Sequence, residues 1–205
     1  MKKEFWAIFA AALLWFMMFS PWTATAISFW LAMSFAAIIL LGMSFRNRQE
    51  LLKSFNFSAL QVGMGLASAV VLYGIFYLGN YLSTAWFDFA KPQINDIYGL
   101  KTGNSPYLIG TLLLLLIGPA EEIFWRGYVQ RTMGERWGDW TAFFVTTAIY
   151  ALVHIWSFNF MLIMAALVCG AFWGLLFIYN KKNITALVIS HAVWDVAVFV
   201  LFPIM

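Results

Sequence analysis

Six ionisable residues lie well inside apolar runs: Glu121, Glu122, Arg126, His154, His191 and Asp195. Ionisable groups at membrane depth are costly, so they usually face a bundle interior and do a job. Spacing divides that job. Glu122 and Arg126 are four apart, share a helix face and can form an ion pair. Glu121 sits about 100° further round a helix of roughly 3.6 residues per turn, so it faces something else. His154 follows Tyr150 by four residues, and Asp195 follows His191 by four, each pair on one face. The chain has only two histidines, and both lie in apolar runs. One such histidine alone reads as a satisfied core residue. Two of two, beside a carboxylate in excess of the arginine, read as one converging polar site. Such a set can serve hydrolysis, which needs a base for water and donors for a developing oxyanion, or a proton or cation relay. Asp195 is the awkward member, because an ionised carboxylate cannot donate. It must be protonated, orient His191 or bind something positive.

The elements that position these residues are membrane helices. The 205-residue chain is 63% hydrophobic and only 10% charged, against about 25% charged for a soluble domain. That leaves too little polar surface for a water-soluble globule. The expected fold is all-α, a polytopic transmembrane bundle of about seven spans in a single integral membrane domain, 1–205. The net charge of +3 gives no reason to expect nucleic acid, because most basic residues fall between apolar runs. Cys169 is the only cysteine, which excludes an intrachain disulfide and reads as a small packing residue.

The expected spans are about 5–20, 24–45, 60–82, 107–132, 140–155, 159–179 and 184–202. The first also resembles a signal peptide, with Lys2 and Lys3 before it and Ala24-Thr25-Ala26 after it, but an uncleaved span is the preferred reading. Gly63, Gly65, Gly74 and Gly79 punctuate the third run and read as ordinary close packing. Residues 83–106 mix aromatic and charged side chains, suiting an interfacial segment or a lid over a site. Pro119 should bend the fourth span just before Glu121. Seven spans with a cytoplasmic start put Lys2, Lys3, Arg46, Arg48, Lys53, Arg131, Arg136, Lys181 and Lys182 on one side. Only Lys91 and Lys101 fall on the other, the asymmetry of the positive-inside rule.

Three motifs occur in order: Glu121-Glu122-x-x-x-Arg126, Tyr150-x-x-x-His154 and His191-x-x-x-Asp195. With Phe124 and Gly127 beside the first, the chain resembles the CPBP family, the CAAX-processing and bacteriocin-processing intramembrane proteases also called abortive-infection proteins. The resemblance covers about 107–202, a catalytic core of four spans. Two positions depart from the family pattern. Tyr150 stands where phenylalanine is usual, read as a mild change, and Asp195 where asparagine is frequent. The resemblance implies a helical bundle that hydrolyses peptide bonds within or beside the membrane. It implies Glu121 as general base, His154 as holder of the same water, and His191 with Asp195 as oxyanion stabilisers. Glu122 and Arg126 are then a structural ion pair. Glu121, His154 and His191 also make a ligand set found in zinc hydrolases. The histidines lack the H-E-x-x-H spacing, so a metal-free water site is favoured over a divalent metal such as zinc. Counting along the spans at about 1.5 Å per residue puts Glu121 roughly 15 Å deep, His154 roughly 21 Å and His191 roughly 10 Å, which need not meet.

The resulting expectation is an endopeptidase of the cell membrane, N-terminus cytoplasmic. Its partners are membrane lipid and a protein or peptide substrate, lipidated or not. The competing readings are a carrier or proton or cation relay built on the same Glu/His/Asp cluster, and an inactive homologue that only binds.

Overall fold

The computed structural model describes residues 2–45, 48–180 and 183–205. Arg46, Lys181 and Lys182 of the charge count lie outside the described residues. Among the described residues there is no strand. The main helices are α1 (Lys2–Phe19), α2 (Phe29–Ser44), the short α3 (Arg48–Lys53), α4 (Ala59–Trp86) and α5 (Ala90–Gly99). They continue as α6 (Pro106–Trp137), α7 (Asp139–Ser157), α8 (Phe160–Tyr179) and α9 (Thr185–Leu201).

Seven of these are apolar, and together they form a helical membrane bundle. By length and composition α4, α6, α7 and α8 can each cross a membrane. The apolar parts of α1, α2 and α9 are shorter, at Glu4–Phe19, Phe29–Ser44 and Thr185–Leu201. At about 1.5 Å per residue they reach about 24–26 Å, short of a hydrocarbon core of about 30 Å. The fourth span is longer than expected. It continues through 133–137, past the expected span end at about 132, and ends only at Gly138, whose φ of 84° stops a helix.

Local sequence sets the helix starts. The Ser58 hydroxyl accepts from the backbone N–H of Gln61 at the start of α4 (3.3 Å), and Asn159 Oδ1 accepts from that of Leu162 at the start of α8 (2.9 Å). Both satisfy amides that a helix start leaves free. The expected bend at Pro119 takes another form. Residues 113–117 make a wide turn with i→i+5 hydrogen bonds just before the proline, and 123–130 make a second. Pro119 thus falls in the first turn of the short α-helical piece Gly118–Glu122, where its missing N–H costs least. Both glutamates sit on this piece, between two wide turns of a kind frequent at functional sites.

Close approach depends on fewer glycines than expected. A Cβ on Gly65 would fall 2.8 Å from the Ile189 side chain, so α4 lies tight against α9 there. Gly63, Gly74 and Gly79 face open space, with nothing within 4 Å of the same position. Gly118 has the stronger requirement. Its Cβ would meet the Ala192 backbone at 2.9–3.0 Å, so only glycine lets α6 come this near α9 and its histidine.

The segment that suggested either an interfacial stretch or a lid contains α5, which is anchored to the start of α8. Asn159 Nδ2 donates to the Gln93 carbonyl (2.7 Å), and the Met161 N–H donates to Gln93 Oε1 (3.0 Å). Lys101, in the turn after α5, donates to the Phe199 carbonyl of α9 (2.8 Å). Its partial burial draws the ammonium pKa below the ordinary lysine range.

Candidate active site

The two glutamates face different neighbours. Glu122 is fully buried, and its Oε1 accepts from Arg126 at 2.7 Å and contacts His191 Nδ1 at 2.7 Å. Arg126 also reaches the carbonyls of Cys169 and Gly170 on α8 at 3.3 Å each. Its guanidinium lies over the rings of Tyr150 (4.9 Å) and Trp173 (5.6 Å). One arginine therefore ties α6, α7 and α8 around the Glu122 carboxylate. Cys169 is buried and contributes its backbone carbonyl here.

Glu121 makes no such ion pair. Its Oε2 accepts from the Tyr150 hydroxyl at 2.6 Å. The change from phenylalanine to Tyr150 is therefore not mild: the hydroxyl is a direct partner of the candidate base, and a phenylalanine has none to give. Sequence could have raised this, because a phenol inside an apolar run needs an acceptor.

His191 lies between two carboxylates. Nδ1 meets Glu122, and Nε2 lies 3.5 Å from Asp195 Oδ2. Its ring stacks on Trp173 at 3.8 Å and 18°, while the Trp173 indole donates to Ser190 Oγ at 3.0 Å. Both edges and one face of the imidazole are thus fixed. With Nδ1 turned to Glu122, Nε2 is the ring nitrogen that faces Asp195 and the cavity.

Both ring nitrogens of His154 are also engaged. Nδ1 meets the Tyr150 carbonyl at 2.8 Å, and Nε2 accepts from the indole N–H of Trp15 at 3.0 Å. This requires the tautomer protonated on Nδ1. Trp15 belongs to α1, 139 residues away in sequence, and no pattern within the chain points to it. In this arrangement His154 is oriented, and its Nε2 lone pair is taken.

Glu121, Tyr150, His154, His191 and Asp195 line one cavity of about 470 Å³. The depth mismatch counted along the spans is therefore absent from the folded chain. Glu122 and Arg126 do not line it and lie behind its wall. The remaining lining is largely apolar, including Phe29, Phe76, Phe160 and Trp194. Its volume and mostly apolar lining with a few convergent polar groups are those of a ligand pocket.

The donor set does not fit a metal in this arrangement. The His154 lone pair is committed to Trp15. Among the described residues no three His, Cys, Asp or Glu side chains converge as a metal site.

A family model described as "Type II CAAX prenyl endopeptidase Rce1-like" matches residues 103–197, which include all three motifs. No curated protein and no solved structure matches the chain.

Proposed function

We propose that this integral membrane protein, which carries an Rce1-like domain over residues 103–197, is an intramembrane endopeptidase using a glutamate-activated water. The observation that carries the reading is the division between the glutamates. Arg126 and His191 occupy Glu122, while Glu121 holds only a neutral phenol and faces the cavity. Glu121 Oε2 keeps the Tyr150 hydroxyl, leaving Oε1 for a water. The water oxygen attacks the substrate carbonyl as Glu121 takes its proton, and Glu121 returns that proton to the leaving nitrogen as the C–N bond breaks. His191, protonated on Nε2 beside Asp195, donates to the oxyanion. His154 holds the Tyr150 backbone in register and can accept from the water only when Trp15 releases Nε2. No step passes through a metal.

The test is Glu121→Gln, which keeps shape and volume and removes the base. Folding should be nearly unchanged, and cleavage should fall about 10² or more, the scale of a lost general base. Comparative proteomics of membranes holding wild-type or Glu121→Gln protein should find termini present only with the wild type. Equal termini in both refute the mechanism. Ion flux lost in Glu121→Gln without any missing terminus favours the relay instead.

A further inference from the structure

The residues that line the cavity all lie toward one end of the bundle. There it is lined by the last turn of α1 (Phe19), the start of α2 (Phe29, Trp30), the last turns of α4 (Asn80, Ser83) and Phe87 just beyond it. The start of α8 (Phe160, Met161) completes it, and α5 lies across it through Ile94 and Tyr98. Phe87 and Phe160 are exposed at that end, and Ile75 on the α4 wall is also exposed, so the cavity reaches the surface at that end and along α4. The opposite end is closed. Beneath the carboxylates Trp125, Arg126 and Trp173 are almost fully buried. Below them Gln130 Nε2 donates to the Gly174 carbonyl (3.0 Å), and the Asn56 N–H to Thr185 Oγ1 (3.0 Å). No lining residue comes from that end.

The closed end is the basic one. Among the described residues it carries Arg48, Lys53, Arg131 and Arg136, with Lys2 and Lys3 at the start of α1. The open end carries Lys91 and Lys101 with Asp88 and Asp96. The positive-inside rule assigns the basic end to the cytoplasm. From these two facts we infer that the catalytic cavity is entered from the non-cytoplasmic face. Resting on the peptidase reading, its substrate is an apolar peptide segment of a membrane protein on that face. A lipidated tail held at the cytoplasmic leaflet meets the closed end.

Single-cysteine variants of the full chain in a Cys169→Ala background test the side. Ser83→Cys marks the rim, Asn104→Cys the loop beyond α5, and Glu135→Cys the closed end without removing a basic residue. A membrane-impermeant maleimide should label positions 83 and 104 in right-side-out spheroplasts and position 135 only in inverted vesicles. Label at 83 only in inverted vesicles overturns the inference. A second arm uses one membrane anchor bearing the same apolar peptide on either face. Wild-type protein should cut the non-cytoplasmic copy at least tenfold faster, and Glu121→Gln should abolish the difference. Glu121-dependent cutting of the cytoplasmic copy alone also overturns it. If neither copy is cut, the peptidase reading fails while the labelling still decides the side.

Discussion

Replacing Arg126 by alanine tests what the Glu122 pair contributes. Both side chains are buried, at 1% and 0% exposure. Truncation removes the 2.7 Å contact to Glu122, two contacts to α8 carbonyls and two ring contacts. Glu122 then keeps only His191, and its Oε2 already has no partner. Breaking a buried pair costs about 3–5 kcal/mol, and the freed carbonyls add to that. A loss of at least about 3 kcal/mol lowers Tm by roughly 6–12 °C in a chain of this size. Thermal unfolding of the detergent-purified protein, followed by tryptophan fluorescence, should show that fall for Arg126→Ala. Arg126→Lys should fall less, because it keeps the charge and loses the planar fork. The double variant Glu122→Gln/Arg126→Met removes both charges while Gln still accepts from His191, so it should recover most of the loss. Arg126→Ala within about 1 °C of wild type refutes the reasoning. A double variant no better than the single one shows that packing rather than charge sets the cost.

Other substitutions separate the roles around the base. Tyr150→Phe keeps the ring contacts to Trp125 and Arg126 and removes the donor to Glu121, so kcat should fall about tenfold with KM little changed, as for a misplaced catalytic group. A wild-type kcat means the hydroxyl does not position Glu121. Asp195→Asn should keep activity within about tenfold, because its amide oxygen still accepts from a protonated His191 Nε2 while its NH2 can donate to the oxyanion. A chelator series alongside should leave wild-type cleavage intact, and inhibition that zinc reverses would reinstate a metal.

The helical class and the apolar segments were legible because burial in lipid needs long uninterrupted apolar runs, which composition exposes directly. So was the face shared by Glu122 and Arg126, since i,i+4 neighbours follow from helix geometry alone. What escaped depends on which helices touch. His191 meets Glu122 only because Gly118 lets α9 approach α6, and helix spacing cannot say which turn of α9 faces which turn of α6. Trp15 reaches His154 through the fold rather than through any local pattern. The wide turns flanking Gly118–Glu122 were foreshadowed only by Pro119, which announces a disturbance without its form. Seven apolar runs were readable, and the first was already short, but the shortness of α2 was not, because residues just ahead of it, such as Ala26 and Ile27, are themselves apolar.

Adjacent carboxylates in a low-dielectric interior repel, and two acids at neighbouring positions remain useful only if one is neutralised. This chain neutralises one thoroughly. Glu122 has a guanidinium and an imidazole on a single oxygen, and the guanidinium also donates to two α8 carbonyls. Glu121 instead receives a phenol, which orients a carboxylate without ending its capacity to take a proton. A lysine at position 150 would make a second ion pair and leave no base in the cavity. The pair behind the wall and the phenol in front of it are therefore one arrangement. The first lets a buried charge cluster exist, and the second aims the remaining charge at the space where a substrate and a water can sit.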